Sequence, residues 1–185
     1  MKKEFLNFLC CPNCNSDLKL ITNEKINNKI KKGKLICKNS KCNSNFKVEN
    51  YIPRFVEFSI YANSFGDQWK KFSKTQIDNN SLKESTLRWD SEIGWDKNDL
   101  RNKSIIEFGS GAGRFVDIAS RRGAQIAVGI DVTFAVDAAQ DSFKDRNNVF
   151  FIQADIFNPP IKRDFFDFGY SIGVLHHTPN PEMAF

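Results

Sequence analysis

Four of the five cysteines form two close pairs, Cys11-Pro12-Asn13-Cys14 and Cys37-Lys38-Asn39-Ser40-Lys41-Cys42, with two and four residues inside the pairs and twenty-two between them. Two short turns can each present two thiolates to one ion, so Cys11, Cys14, Cys37 and Cys42 read as a tetrahedral Zn2+ site. Four thiolates leave the ion no open position, which makes it structural. A redox pair and plain core thiols are the alternatives, but Pro12, Asn13, Asn15 and Ser16 read as a turn where a redox pair opens a helix. Cys10 reads as apolar packing. A second group lies further along: Glu107, the loop Gly109-Ser110-Gly111-Ala112-Gly113, then Asp131 and Asp155. Glycine lets a backbone approach a ligand closely, and a helix opening after the loop offers free N–H groups. Arg114 stands where a dinucleotide fingerprint has its third glycine, and no Gly-Lys-Ser/Thr follows as in a Walker loop. Three carboxylates around one cleft repel a pyrophosphate and suit a cationic ligand that also carries ribose hydroxyls and an exocyclic amine.

The elements needed to position these groups can be read from the chain. Leu18, Leu20 and Ile21, the polar Asn27–Gly33 stretch, then Leu35 and Ile36 make two strands joined by a turn, a zinc ribbon. Some fifty residues hold too little core to be stable alone, and metal binding worth on the order of 10 kcal/mol supplies the deficit. Ser104–Phe108 is a strand entering the glycine turn, and Phe115, Ile118 and Ala119 fall at helical spacing after it. Strand Gln125–Ile130, a helix from about Phe134 to Lys144, strand Val149–Gln153 and a fourth strand Phe166–Ile172 follow. Alternating strands and helices predict an α/β fold, a doubly wound Rossmann-like parallel sheet with its ligand at the strands' C-terminal ends. The expected division is 1–55 ribbon, 56–102 helical linker or lid, and 103–185 ligand-binding half. Within the linker Phe65, Trp69 and Phe72 recur at helical spacing with Gln68 and Gln76 nearby, a stripe that serves either as core or as cover.

The 185 residues are 41% hydrophobic and 26% charged, a globular composition that excludes disordered and fibrous classes. No apolar run approaches the ~18 residues of a membrane span, and the apolar start of the chain is broken by Asn7, unlike a signal core. A soluble, cytoplasmic protein without a membrane partner is expected. Net charge is +5, but the first fifty residues hold eleven Lys against four acids. That patch could face RNA or another anion; a compositional bias toward Lys and Asn explains it equally well.

Ile105–Phe115, Val128–Asp131 with Thr133–Ala139, Phe151–Asp155 and Phe166–Pro181 resemble, in order, the class I S-adenosylmethionine-dependent methyltransferases. The four-cysteine segment resembles the zinc-ribbon domain of small methyltransferase activator proteins, also fused in front of some bacterial methyltransferases. Phe65–Phe72 with Thr75 and Gln76 is similar to a segment of such fused proteins. The resemblance implies S-adenosyl-L-methionine as cofactor. It implies that Glu107 organises the loop and the amino end of the methionine moiety, and that Gly109, Ser110, Gly111 and Gly113 give backbone contacts. Asp131, with Val132 beside it, would take the ribose hydroxyls, Asp155 and Ile156 the adenine, and Ser171 would line the cleft near the methyl group.

Methyl transfer is an in-line displacement at the methyl carbon of a sulfonium, with the thioether leaving, so it needs alignment above all, and a base only if the acceptor must lose a proton. His177, and after it His176, are the candidates for that base; capping of the loop before Pro179 is the alternative. A seven-stranded class I sheet would continue beyond Phe185, so the chain reads as the cofactor half of a longer enzyme. The expected acceptor is a small molecule or glycan precursor. An rRNA guanine methyltransferase gripping RNA with the basic ribbon is the nearer alternative, and a noncatalytic adaptor the more distant one. Oligomeric state is not encoded legibly.

Overall fold

The computed structural model of the chain describes residues 1–56, 77–78 and 83–185. The expected aromatic stripe at 65–76 lies outside these residues. Eight strands are described: β1 (Leu18–Ile26), β2 (Lys29–Cys37), β3 (Asn45–Glu49), β4 (Ile52–Arg54), β5 (Ser104–Phe108), β6 (Ile126–Asp131), β7 (Val149–Gln153) and β8 (Phe168–Tyr170). With them go helices α1 (Glu84–Glu92), α2 (Lys97–Leu100), α3 (Arg114–Arg121), α4 (Ala135–Ser142) and α5 (Pro181–Ala184).

The expected ribbon is present with longer strands and a tighter turn. Asn27 and Asn28, at φ 46° and 63°, close a two-residue connection between β1 and β2. Asparagine tolerates the left-handed region that a twisted two-residue hairpin requires. The Lys-rich stretch therefore lies in β2, with Ile30, Gly33, Leu35 and Cys37 inward. Strands β3 and β4 add two further antiparallel neighbours.

The ribbon's sheet and the parallel sheet are one, in the order β1-β2-β3-β4-β7-β6-β5-β8. Strand β4 joins β7 in parallel through Arg54 opposite Gln153, and the Phe55 N–H donates to the Gln153 carbonyl at 2.8 Å. Strands β7, β6, β5 and β8 are mutually parallel, as the alternation of strands and helices predicts.

Alternate residues of the parallel strands serve two cores. Ile105, Ala127, Val149 and Phe151 pack with Val116, Ile118 and Ala119 of α3 and Val136 and Ala139 of α4. Trp89 of α1 is fully buried in this same core, its indole N–H donating to the Trp95 carbonyl at 3.0 Å. Ile106, Val128, Ile130, Phe150 and Ile152 face the other way, where Met1, Phe5, Phe8 and Leu9 join Leu18, Leu35 and Val48 of the ribbon. Phe5 meets Phe150 edge-on at 4.4 Å between ring centroids. Both described helices of the α/β half that flank the sheet thus lie on one face. The N-terminal segment and ribbon cover the opposite face, where a doubly wound sheet usually carries helices.

Candidate active site and metal centre

The Sγ atoms of Cys11, Cys14, Cys37 and Cys42 all lie within 4.8 Å of one another. Cys11 and Cys42 are 3.7 Å apart and Cys14 and Cys37 3.4 Å. A tetrahedron with Zn–S bonds of ~2.3 Å has edges of about 3.8 Å, so the quartet fits Zn2+ with little adjustment. The turn after Cys11 is held by Cys14 and Asn15 N–H groups on the Cys11 carbonyl, and Cys11 N–H donates to Ser16. Cys10 is buried outside the quartet, its backbone N–H donating to the Pro160 carbonyl across the seam.

At the other centre, β5 ends in Phe108 and the chain turns through Gly109, Gly111 and Gly113 at φ 78°, 51° and 81° into α3. Gly113 tolerates no side chain: a Cβ there would stand 2.6 Å from the Phe151 ring. The loop is fixed from below by the N–H groups of Gly109 and Ser110 on the Ile130 carbonyl, at 2.8 and 2.9 Å. Ser110 sits over Gly129, whose missing side chain makes the room, and its hydroxyl is buried without a hydrogen-bond partner among the described residues.

Asp131 closes β6 beneath the loop. One oxygen accepts from the Gly111 N–H at 2.8 Å, and the other from the Thr133 N–H and hydroxyl at 2.8 and 2.7 Å. Three of roughly four lone-pair positions of the carboxylate are therefore engaged by the chain itself. Val132 is 45% exposed and its carbonyl accepts from Gln153 Nε2 at 3.0 Å. Asp155 is exposed and accepts the Phe157 N–H at 2.9 Å, while Ile156 packs toward the ribbon-side core. Ser171 donates to the Phe108 carbonyl at 2.8 Å, tying the end of β8 to β5. His176 and His177 are exposed in a 3-10 turn after β8, their ring centroids 3.9 Å apart.

Glu107 is 1% exposed, and the Tyr170 hydroxyl across the strand pair reaches its Oε2 at 3.4 Å. Burial pushes the Glu107 carboxyl well above the ordinary carboxylate range; the Tyr170 hydroxyl and the Arg114 guanidinium pull the other way without offsetting it. Arg114 itself lies over the Phe115 ring at 4.5 Å.

Residues 106–185 match the family described as methyltransferase domain, and residues 2–42 match the Trm112p-like protein family. A segment similar to Trm112p-like proteins is thus followed in the chain by one similar to methyltransferase domains. The tRNA U34 carboxymethyltransferase of Ruthia magnifica subsp. Calyptogena magnifica is 28% identical over 149 residues, 76% of this chain and 42% of that protein. This chain thus spans less than half the length of that curated relative. A Methanococcus maripaludis protein assigned to the S-adenosyl-L-methionine-dependent methyltransferases is 16% identical with a TM-score of 0.52. The match covers 70% of this chain and 58% of that one, a likeness of fold. One chain of the complex between the Haloferax volcanii Trm112 methyltransferase activator and its assigned methyltransferase is 14% identical. There the TM-score is 0.48, over 66% of this chain and 50% of that one.

The methyltransferase domain's loop fits S-adenosyl-L-methionine on three observations. The glycines leave a cradle that side chains would fill, the buried Ser110 hydroxyl lacks a partner among the described residues, and Glu107 is a buried carboxyl of the kind that suits a cationic ligand. Sequence reasoning missed Thr133, Tyr170, Gln153 and Arg54. Thr133 could have been found from its place two residues after a strand-ending Asp, a spacing that favours an Asx turn. Arg54 gives no local signal, because its partners lie 83 and 99 residues away.

Proposed function

We propose that the chain is the cofactor half of an S-adenosylmethionine-dependent methyltransferase whose acceptor is RNA, of the tRNA class. What carries the acceptor is the alignment with a tRNA-modifying relative, whose 149 residues far exceed the 80 of the methyltransferase match. The expected small-molecule or glycan acceptor draws no support from that relative. The assignment fits a cytoplasmic protein; among the described residues no helix is long and apolar enough to cross a membrane. In this reading 1–55 is the ribbon, 56–102 the linker and 103–185 the cofactor half.

The cofactor, when bound, supplies a methyl carbon made electrophilic by the sulfonium next to it. The chain's part is to bind and align. Gly109, Ser110, Gly111 and Gly113 offer the loop's backbone, with the Ser110 hydroxyl as an added donor or acceptor. Glu107 is the group that meets positive charge, ionising as it does so. Asp131 has one free lone-pair position for a ribose hydroxyl, with Val132 beside it. Asp155 and Ile156 border the adenine side and Ser171 the methyl side. His177, with His176, stands exposed at the same end of the sheet and can accept a proton from the acceptor atom.

The test is transfer of a radiolabelled methyl group from the cofactor to unmodified tRNA transcripts by the intact protein, alongside calorimetric titration with S-adenosylhomocysteine. Incorporation into tRNA and cofactor binding, both lost in Asp131→Ala, are expected. His176→Ala/His177→Ala should keep binding and lose turnover. A folded, zinc-loaded protein that binds cofactor but labels no RNA overturns the acceptor; one that binds no cofactor overturns the reading as a whole.

A further inference from the structure

A wide concavity lies remote from the cofactor cleft. It encloses ≈ 760 Å3 and is bounded by the N-terminal 3-10 turn (Lys3–Asn7), the length of β1 and the approach to β7. Six lysines line it, Lys2, Lys3, Lys19, Lys25, Lys29 and Lys38, against a single acid, Glu4. Of the other acids of the first fifty residues, only Asp17 meets a lysine of the groove, Lys38, at 3.4 Å. Glu24 pairs with Lys31 and Lys32, Asp17 with Lys162 as well as Lys38, and Glu49 lies 4.0 Å from Arg54. Lys2 and Lys29 reach across to the backbone carbonyls of Asn147 and Lys144 at 2.9 and 2.8 Å, contacts that fix the ammonium groups without neutralising them. No pairing of Lys3, Lys19 or Lys25 with an acid is found among the described residues.

Geometry restricts what such a groove can hold. Lys19 and Lys25 are separated by six strand residues, roughly 20 Å. Strand β1 stands five places from β6, whose end carries Asp131, or roughly 24 Å across the sheet at the usual strand spacing. A small anion filling the groove touches nothing in the cleft, and a small acceptor in the cleft gains nothing from the groove. A polyanion with evenly spaced charges spans both.

We infer that this lysine groove is the docking surface for the phosphate backbone of the RNA acceptor, holding a segment remote from the modified nucleotide. The inference rests on the RNA reading of the acceptor. Phosphate contacts of this kind fix position without reading sequence, and release counterions in proportion to their number. The groove therefore binds structured RNA with little sequence preference and with strong salt dependence, and sequence is read elsewhere.

The experiment is fluorescence anisotropy of labelled unmodified tRNA with the intact zinc-loaded protein from 50 to 300 mM salt. Lys3→Ala/Lys19→Ala/Lys25→Ala is compared with Lys34→Ala/Lys41→Ala/Lys47→Ala, a triple of equal charge loss outside the groove. The groove triple should bind on the order of 100-fold more weakly at 0.1 M salt, with a log–log salt slope shallower by about 2. The outer triple should change affinity less than threefold, and calorimetry should give all three proteins the same S-adenosylhomocysteine affinity. Equal losses in the two triples, or an unchanged slope in the groove triple, overturn the assignment while leaving tRNA methylation standing. Failure of the wild type to bind tRNA at 50 mM salt removes the RNA acceptor and the groove together. Binding to phosphatidylserine vesicles in place of tRNA also overturns it, assigning the surface to membranes.

Discussion

Truncating Arg54 tests how the ribbon and the methyltransferase domain are held together. Its side chain is 9% exposed and grips Asp137 of α4 with two bonds, Nη2 to Oδ1 at 2.7 Å and Nη1 to Oδ2 at 3.1 Å. Nη1 also donates to Gln153 Oε1 at 2.7 Å. Removing one partner of a buried pair costs about 3–5 kcal/mol, because the other charge is left without compensation. Asp137 is 22% exposed and water can reach it, so about 2–3 kcal/mol is expected for Arg54→Ala. For a chain of this length that lowers Tm by about 4–12 °C. Arg54→Lys keeps the charge but not the planar fork, and should recover less than half of the loss. The assay is thermal unfolding of zinc-loaded wild type, Arg54→Ala, Asp137→Ala and the double variant. The double variant should be hardly less stable than either single one, giving a coupling of about 2 kcal/mol. Losses that simply add, or an Arg54→Ala protein within about 0.5 kcal/mol of wild type, would refute the reasoning.

Further expectations follow from the same geometry. Glu107 is buried with its carboxyl held above the ordinary range, so the stability it contributes is full below about pH 4.3 and lost as pH rises through its raised folded value. Glu107→Gln should therefore gain stability over wild type as pH rises, while S-adenosylhomocysteine binds at least tenfold more weakly; calorimetry in buffers of different ionisation enthalpy should show proton release on binding to wild type only. Asp167 is lowered to about 2 by the Ser104 N–H and hydroxyl, each at 2.8 Å, and by Lys103 at 3.2 Å. Its contribution is present above about pH 3.9 and lost as pH falls through about 2, so the Tm deficit of Asp167→Asn should be constant near neutrality and vanish toward pH 2. Because the ribbon shares a core with Ile106, Val128, Ile130, Phe150 and Ile152, chelating the zinc should lower the single unfolding transition of the whole chain by more than about 10 °C. A separate low-temperature transition, with the remainder unmoved, is the contrary result in calorimetry.

What the sequence made legible is what local chemistry decides. Cysteine spacing is enough for the metal quartet, since two short turns constrain four thiolates whatever else the chain does. The order of strand, glycine turn and helix likewise predicts β5, α3, β6, α4 and β7 to within one or two residues at most ends. Less legible was how far neighbouring groups would already occupy one another. Asp131 reads as a free acceptor in a sequence, yet Gly111 and Thr133 take most of its capacity. Phe166–Ile172 reads as a seven-residue strand and pairs only over Phe168–Tyr170, because Asp167 turns its side chain to the Ser104 N–H and Ser171 gives its hydroxyl to Phe108.

The seam between the two halves was the least legible feature, and its construction explains why. Strand β4 is three residues long with Pro53 at its centre, and proline, lacking an N–H, argues against a place inside a sheet. The sheet accepts it because β4 meets β7 at one residue pair only, with the donor supplied by Phe55 beyond the proline. So sparse a ladder does not specify an interface between two sheets. Specificity comes from side chains: Arg54 bridging to Asp137 and Gln153, and Phe5, Phe8 and Leu9 laid on the face that α3 and α4 leave open. Gln153 in turn holds the Val132 carbonyl, one residue from Asp131. The ribbon is thereby joined, through Arg54 and Gln153, to the strand end that carries Asp131 beneath the glycine loop.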